Sequence, residues 1–349
     1  MPKFILTRTP LRLSMGGGGT DIEAFFKKNG GFWTSAAIDK YVRLTFNLRW
    51  EEHFVVKHGT SVDRVSKIQD ITNTLISGSL IYLQMDKYLR DYNGRAHGLE
   101  INIVSDVPGH SGLGVSGAIT VGCLQALHVF RGDMTVSKEQ LAREAYEVEH
   151  ELGGSKSTGY QDQYIAAFGG INSFEVTRGG LVDILPILLD AHILGELEGN
   201  IMLFGTGLNR PETADQTLKA QTKTIESTNH SIEEKYLEQI KKIGLEQREA
   251  LLNHNPRRFG ELLDVHWEAK KKYSRHVAKP EIDEVYQEVK KIGALGGKVI
   301  GAGTVGAFWM FYCEGADAKI KLRQIMQKRE LKEMPWKFTF DGSSIVYAE

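Results

Sequence analysis

Cysteine is nearly absent from these 349 residues; Cys123 and Cys313 are the only two. They are far apart in sequence and in no metal-ligand spacing, which excludes a disulfide framework and a cysteine-held zinc site and points to thiols in a reducing cytoplasm. An excess of charge is also lacking. Lys and Arg number 43 against 44 Asp and Glu, a formal net charge of −1. No broad field therefore points to nucleic acid or an anionic membrane, and any basic site must be local. No apolar run approaches the roughly 20 residues of a membrane span, and residues 1–8 lack the apolar core of a signal peptide. A cytoplasmic chain long enough for two domains of ordinary size is the reading left standing. Glycine is plentiful: 37 residues, about one in ten against a usual ~7%, gathered in three clusters.

The central cluster is Pro108-Gly109-His110-Ser111-Gly112-Leu113-Gly114-Val115-Ser116-Gly117-Ala118. Alternation over 99–104 predicts a strand before it, and helical spacing over 119–130 predicts a helix after it. A glycine turn at the head of a helix leaves unpaired N–H groups pointing outward, where the dipole favours negative charge, so a di- or triphosphate is the natural guest. An ordinary glycine-rich loop is the plainer alternative. The Walker A form is excluded, since no lysine lies between Gly94 and Lys138. Gly112-x-Gly114-x-x-Gly117 fits the letters of a dinucleotide fingerprint, but seven residues separate it from the strand end on which that fingerprint sits.

The first cluster, Met15-Gly16-Gly17-Gly18-Gly19-Thr20-Asp21, follows Pro10-Leu11-Arg12-Leu13-Ser14 and opens a helix expected over 22–28. Read plainly, it is a flexible turn with Asp21 as a helix cap. Read functionally, bare backbone lets a polyol approach while Asp21 accepts its hydroxyl hydrogen bonds. Residues 33–38 and 41–47 read as a strand pair, and 68–92 as a long helical pattern that Gly78 would break. Ser137 opens a helix over 141–152 on which Glu147 and Glu151 share a face and Glu149 points elsewhere. Further on, 200–204 reads as a strand, 213–228, 232–252, 256–273 and 280–295 as amphipathic helices, and 336–341 and 343–347 as strands around an Asp-Gly turn. The third cluster, Lys298 to Ala307, reads almost as a dinucleotide-binding strand and turn. A helix must follow such a turn, and Phe308-Trp309-Met310-Phe311-Tyr312-Cys313 is strand-like instead. Arg210, past a strand and turn, is a candidate for a substrate phosphate, and Lys156 has the same status; for each, a surface side chain is the alternative.

Taken in order, the three clusters resemble the motifs of the GHMP kinases. Pro10-x-Arg12 with Thr20-Asp21 nine residues after the arginine is similar to the family's first motif. The central loop is similar to its Pro-x-x-x-Gly-Leu-Gly-x-Ser-x-Ala phosphate loop, and the 298–307 run to its third motif, with Thr304 and Val305 where further glycines are usual. The resemblance implies an α+β fold of two domains, 1–178 and 179–349. The first would be an α/β unit of the ribosomal-protein-S5-domain-2-like type with a left-handed βαβ crossover, the second a ferredoxin-like α/β sandwich. It implies ATP and Mg2+ as cofactors, with Pro108, Gly109, Ser111, Gly112, Leu113, Gly114, Val115 and Ser116 on the phosphates and Ser116 and Glu149 on the metal. Asp162 would face the acceptor hydroxyl, Arg12 the transferred group, and Ser14, Gly17, Gly18, Gly19, Thr20, Asp21, Asp162 and Arg210 the substrate.

The first motif, the Gly159-Tyr160-Gln161-Asp162-Gln163 segment and the length are most similar to family members that phosphorylate the anomeric hydroxyl of a seven-carbon sugar phosphate. That implies a small sugar phosphate as partner, no nucleic acid and no membrane, with a homodimer allowed. Another sugar kinase, of fucokinase or galactokinase type, and a non-catalytic ATP and sugar sensor are the alternatives.

Overall fold

The computed structural model describes residues 1–91, 93–109, 111–153, 155, 157–207, 230–273, 279–301 and 307–349. In chain order its elements are β1 (Phe4–Gly16), α1 (Glu23–Asn29), β2 (Gly31–Leu48), β3 (Phe54–His58), β4 (Ser61–Val65), α2 (Thr74–Tyr82), α3 (Met85–Tyr88) and β5 (Leu99–Ser105). There follow α4 (Val115–Phe130), α5 (Lys138–Glu147), α6 (Gln161–Phe168), β6 (Ile171–Val176), β7 (Val182–Pro186), α7 (Ala191–Asn200) and β8 (Ile201–Gly205). The remainder is α8 (His230–Leu252), α9 (Pro256–Tyr273), α10 (Pro280–Lys291), β9 (Gly296–Val299), β10 (Phe308–Tyr312), α11 (Ala316–Lys328), β11 (Glu333–Met334) and β12 (Ser344–Ala348).

Eight strands form the first sheet, in the order β12-β1-β2-β5-β3-β4, with β6 and β7 continuing from the other half of β2. All pairs are antiparallel except β3 with β5. The segments expected at 33–38 and 41–47 are one continuous strand, and so are residues 4–9 and the run that begins at Pro10. In the second half of β2, Val42, Leu44 and Phe46 are buried while Tyr41, Arg43 and Thr45 are half-buried, because one face is covered by α4. Its first half is buried on both faces, since α8 lies across the other side with Ile240 and Ile243. The helical pattern at 68–92 is broken at Gln84, whose φ is 53°, and not at Gly78, which sits inside α2.

The second sheet is antiparallel, in the order β11-β8-β10-β9, the order of a ferredoxin-like βαββαβ unit. Its core stacks Trp267, Tyr286, Trp309 and Phe311. β9 and β10 are antiparallel neighbours, which removes the dinucleotide reading of the third cluster. Of the two strands expected in the tail only β12 forms; before it, Phe338 makes a single bridge to Ile38. Strands β7 and β12, both beyond residue 178, belong to the first sheet. The boundary at 178/179 is thus a proposal about chain halves rather than about sheets. Residues 213–228 lie outside the described residues, as do Lys156, Arg210, Thr304 and Val305.

Helix α4 is the first domain's central helix. Its residues are buried almost throughout, as expected of a helix apolar all round, and it packs on β1, β2, α2, α5 and α6. The loop ahead of it is anchored by Leu113, which is fully buried in the main core and whose carbonyl accepts the Arg12 N–H at 3.0 Å. Leu113→Ala is expected to destabilise the protein by about 2–4 kcal/mol through the cavity it leaves. Urea denaturation followed by circular dichroism checks this.

Candidate active site

Helix α4 begins at Val115 directly after Gly114, and no side chain caps it. The N–H groups of its first turn are therefore free for an anion, with the helix dipole behind them. Gly114 has φ +80°, and a Cβ there would lie 3.2 Å from Arg12 Cγ and 3.3 Å from Asp162 Cγ. Only glycine combines that backbone with that proximity. On the other side of the loop, a Cβ at Gly112 would come 2.5 Å from the Ile300 carbonyl of the second domain.

Arg12 is only 5% exposed. Its Nε donates to Asp162 Oδ1 at 2.8 Å, Nη2 approaches the same oxygen at 2.6 Å, and Nη1 donates to the Gly112 carbonyl. Two groups 150 residues apart are thereby fixed at the head of α4, and Asp162, in the first turn of α6, keeps a partly open carboxylate. Asp21 does not cap α1. Its Oδ1 accepts from Gly19 N and its Oδ2 from Gln161 N, both at 3.0 Å, so it ties the first glycine cluster to the start of α6. Burial pushes its carboxyl pKa up, and the Asp162 charge adds to that. Beside it Gln161 Nε2 is buried without a hydrogen-bond partner and lines the cleft, a donor awaiting an acceptor.

The last turn of the α5 segment, Val148–Leu152, widens into a π-helix. Such a turn inserts one extra residue per turn and re-aims side chains; here it carries Glu149 into the interior, 4% exposed. Gln163 Nε2 donates to Glu149 Oε1 at 2.8 Å, and the hydroxyls of Thr120 and Ser116 also face its carboxylate. Burial pushes its pKa up to about 7. The Glu149 carboxylate, the hydroxyls of Ser116 and Thr120 and the nearby Asp162 carboxylate offer hard oxygen donors of the kind Mg2+ prefers, while the Gln163 amide holds Glu149 by its N–H.

The C-terminal half contributes basic side chains to the same cleft. Lys270 Nζ donates to the carbonyls of Val299 (2.8 Å) and Gly301 (2.5 Å); Lys298 Nζ donates to the Met15 carbonyl at 3.1 Å and lies 3.5 Å from His266 Nδ1. Lys298 and His266 are each 2% exposed. Burial and mutual repulsion push the Lys298 and His266 pKa values down, and burial with the Arg12 charge brings Lys270 to about 7.

The cleft has a volume of about 560 Å³. Of the expected site residues, it takes in Arg12, Ser14, Gly18, Gly19, Asp21 and Asp162, together with Gly109, Ser111, Gly112, Gly114, Val115, Ser116 and Glu149. It does not take in Pro108, Leu113, Gly17 or Thr20. Leu113 is turned into the core, Gly17 packs on the backbone of Phe32 and Trp33, and Thr20 spends its hydroxyl on the carbonyls of Gly17 and Phe32. Arg210 lies outside the described residues.

Sequence reasoning missed Lys270, Lys298, His266 and Gln161, and also His58, Asn73 and Thr74 at the cleft's other end. Lys270 stands in a Lys270-Lys271-Lys272 run that reads as a solvated helix face. Lys298 does open the third glycine cluster, three residues ahead of Gly301, a signal that was available.

Comparison with known proteins gives two family matches: GHMP kinases N terminal domain over residues 79–170 and GHMP kinases C terminal over residues 247–328. D-glycero-alpha-D-manno-heptose 7-phosphate kinase of Campylobacter jejuni is 28% identical over 342 residues, 97% of this chain and 98% of that protein. A solved structure described as a D-glycero-D-manno-heptose 1-phosphate kinase from Bacteriodes thetaiotaomicron superposes with TM-score 0.76 at 26% identity, covering 98% of this chain and 99% of its own. Lactococcus lactis galactokinase, complexed with galactose, shares the fold with TM-score 0.72 at 17% identity over 98% of this chain and 95% of its own.

The raised Glu149 pKa carries a sign. Its folded value lies above its unfolded one, so its contribution is fully present below about pH 4.5 and lost as pH rises through about 7, roughly 3 kcal/mol in all. The lowered His266 pKa works in the opposite direction. In EDTA, the difference in thermal stability between wild type and Glu149→Gln is therefore expected to turn against the wild type between pH 5 and 8. Differential scanning calorimetry across that range tests it; a flat difference refutes the assignment.

Proposed function

We propose that this chain, a member of the GHMP kinases by both of its domains, is an ATP-dependent kinase that phosphorylates the anomeric (C1) hydroxyl of D-glycero-D-manno-heptose 7-phosphate in the cytoplasm, giving the 1,7-bisphosphate for nucleotide-activated heptose. The names of its relatives support a sugar kinase. The observation that carries the reading is the Arg12–Asp162 pair, fixed beside the uncapped head of α4 and open to the same cleft as Glu149.

In this reading the unpaired amides of α4 and the loop hold the nucleotide's phosphates. Ser116 and Glu149 are the residues that would hold Mg2+, which when bound neutralises charge on the phosphoryl oxygens. Asp162 has Oδ1 committed to Arg12 and Oδ2 available to accept the acceptor's hydroxyl hydrogen. The sugar oxygen bonds to the γ-phosphorus, the bond from that phosphorus to the bridging oxygen breaks, and the proton passes to Asp162. Arg12 supplies positive charge where it grows on the transferred group. Asp21 and the Gln161 amide, facing the cleft from the acceptor side, orient hydroxyls.

The test is direct. With ATP and Mg2+, 31P NMR of the heptose 7-phosphate reaction is expected to show a new anomeric phosphate resonance. Faster transfer to free fucose or galactose, or nucleotide binding without turnover, would reject the reading. Asp162→Asn is expected to lower kcat about 100- to 10,000-fold with the KM for ATP unchanged. Near-normal turnover would remove the proton acceptor from the mechanism.

A further inference from the structure

Lys270 and Lys298 are hard to explain as structural staples. Each ammonium has three donors, and among the described residues each spends two on neutral acceptors: Val299 and Gly301 carbonyls for Lys270, the Met15 carbonyl and His266 Nδ1 for Lys298. Neutral dipoles do not cancel a buried charge, and buried charges are ordinarily paired. Among the described residues neither lysine forms an ion pair with a carboxylate, and Asp162 is engaged by Arg12. Lys270, Lys298 and His266 thus line the cleft without a carboxylate partner among the described residues. The chain keeps these groups at a cost in stability, which an anionic ligand would offset.

Its position selects the ligand. His58 and Asn73 lie at the β3 and α2 end of the cleft, beyond β5 in the sheet order, whereas Lys298 reaches the Met15 carbonyl of β1, two residues before the Gly17–Asp21 segment. The head of α4, in the same cleft, already offers its own amides to an anion.

We propose that Lys270 and Lys298, with His266 beside them, form a phosphomonoester subsite contributed by the C-terminal half, which binds the phosphate already present on the acceptor sugar. The inference rests on the kinase reading above and adds to it the reason a phosphorylated sugar would be chosen over a free one. A phosphomonoester carries close to two negative charges at neutral pH. It would accept the remaining donor of each lysine, in charge-assisted bonds about twice as strong as neutral ones.

The experiment compares two acceptors, heptose 7-phosphate and dephosphorylated heptose, with wild type, Lys270→Met and Lys298→Met. The expected result is a rise of about 10- to 100-fold in KM for the sugar phosphate. The preference for it over the free sugar, as a ratio of kcat/KM values, falls by the same factor, and the KM for ATP moves far less. An equal loss on both acceptors, or a rise confined to the KM for ATP, overturns the proposal and assigns the lysines to the nucleotide's phosphates. Unaltered preference overturns it in favour of a structural role.

Should the variants not fold, inorganic phosphate serves as a probe of the wild type. Inhibition competitive with the sugar phosphate and not with ATP supports the subsite; inhibition competitive with ATP alone, or none, refutes it. The two readings fail separately. Transfer to a different phosphorylated sugar rejects heptose but leaves the subsite, whereas an intact preference in both variants rejects the subsite alone.

Discussion

The cleft depends on one ion pair at the junction of β1, α4 and α6, between the buried Arg12 and the half-buried Asp162. Buried pairs contribute little net stability, because desolvation consumes most of the Coulombic gain, but losing one partner strands the other and costs several kcal/mol. The pair is therefore better understood as a positioning device. The same guanidinium also donates to the Gly112 carbonyl, and the Arg12 backbone N–H donates to that of Leu113. One residue sets the height of the phosphate loop and the direction of the carboxylate together.

Around that pair the charges are segregated. Asp21, Glu149 and Asp162 come from the N-terminal half of the chain, and Lys270, Lys298 and His266 from the C-terminal half. Burial pushes Asp21 and Glu149 up and the three basic groups down, so every one of these shifts favours the uncharged form. Such a site is electrostatically incomplete: each set calls for ions of the opposite sign. A metal beside the acidic set and phosphates beside the basic one would satisfy both, and ligand binding would then stabilise the fold by linkage. This is the usual relation between a functional site and the stability it forgoes.

Much of this was legible in the sequence, for definite reasons. The Gly112 and Gly114 pattern announces an uncapped helix start because few other residues reach positive φ, and Arg12, Asp21 and Asp162 were named through the resemblance of their segments to the family's motifs. The burial of Glu149 was not legible, because a helix read with 3.6 residues per turn places it on no informative face, and only the π-turn at Val148–Leu152 turns it inward. Thr20 misled for the opposite reason: next to Asp21 in a polar run, it seals the turn from within. The break of the 68–92 pattern at Gln84 was not legible, because glutamine does not mark a left-handed φ. Lys270 was hidden in a run of three lysines, where period alone cannot say which one reaches the cleft.

The second domain also shapes the first domain's loop. Gly112 lies against the Ile300 carbonyl, and a Cβ at Gly301 would come 2.8 Å from Gly112 Cα. Ile300 and Gly301 thus give a backbone surface on which the phosphate loop rests. Lys270 donates to the Gly301 carbonyl from within the second domain, and Lys298 reaches the Met15 carbonyl of β1 across the contact. Charge and packing are thereby coupled. A ligand drawing either ammonium towards itself acts on the segment that supports the loop, so acceptor binding and phosphate-loop geometry share one set of hydrogen bonds rather than two independent ones.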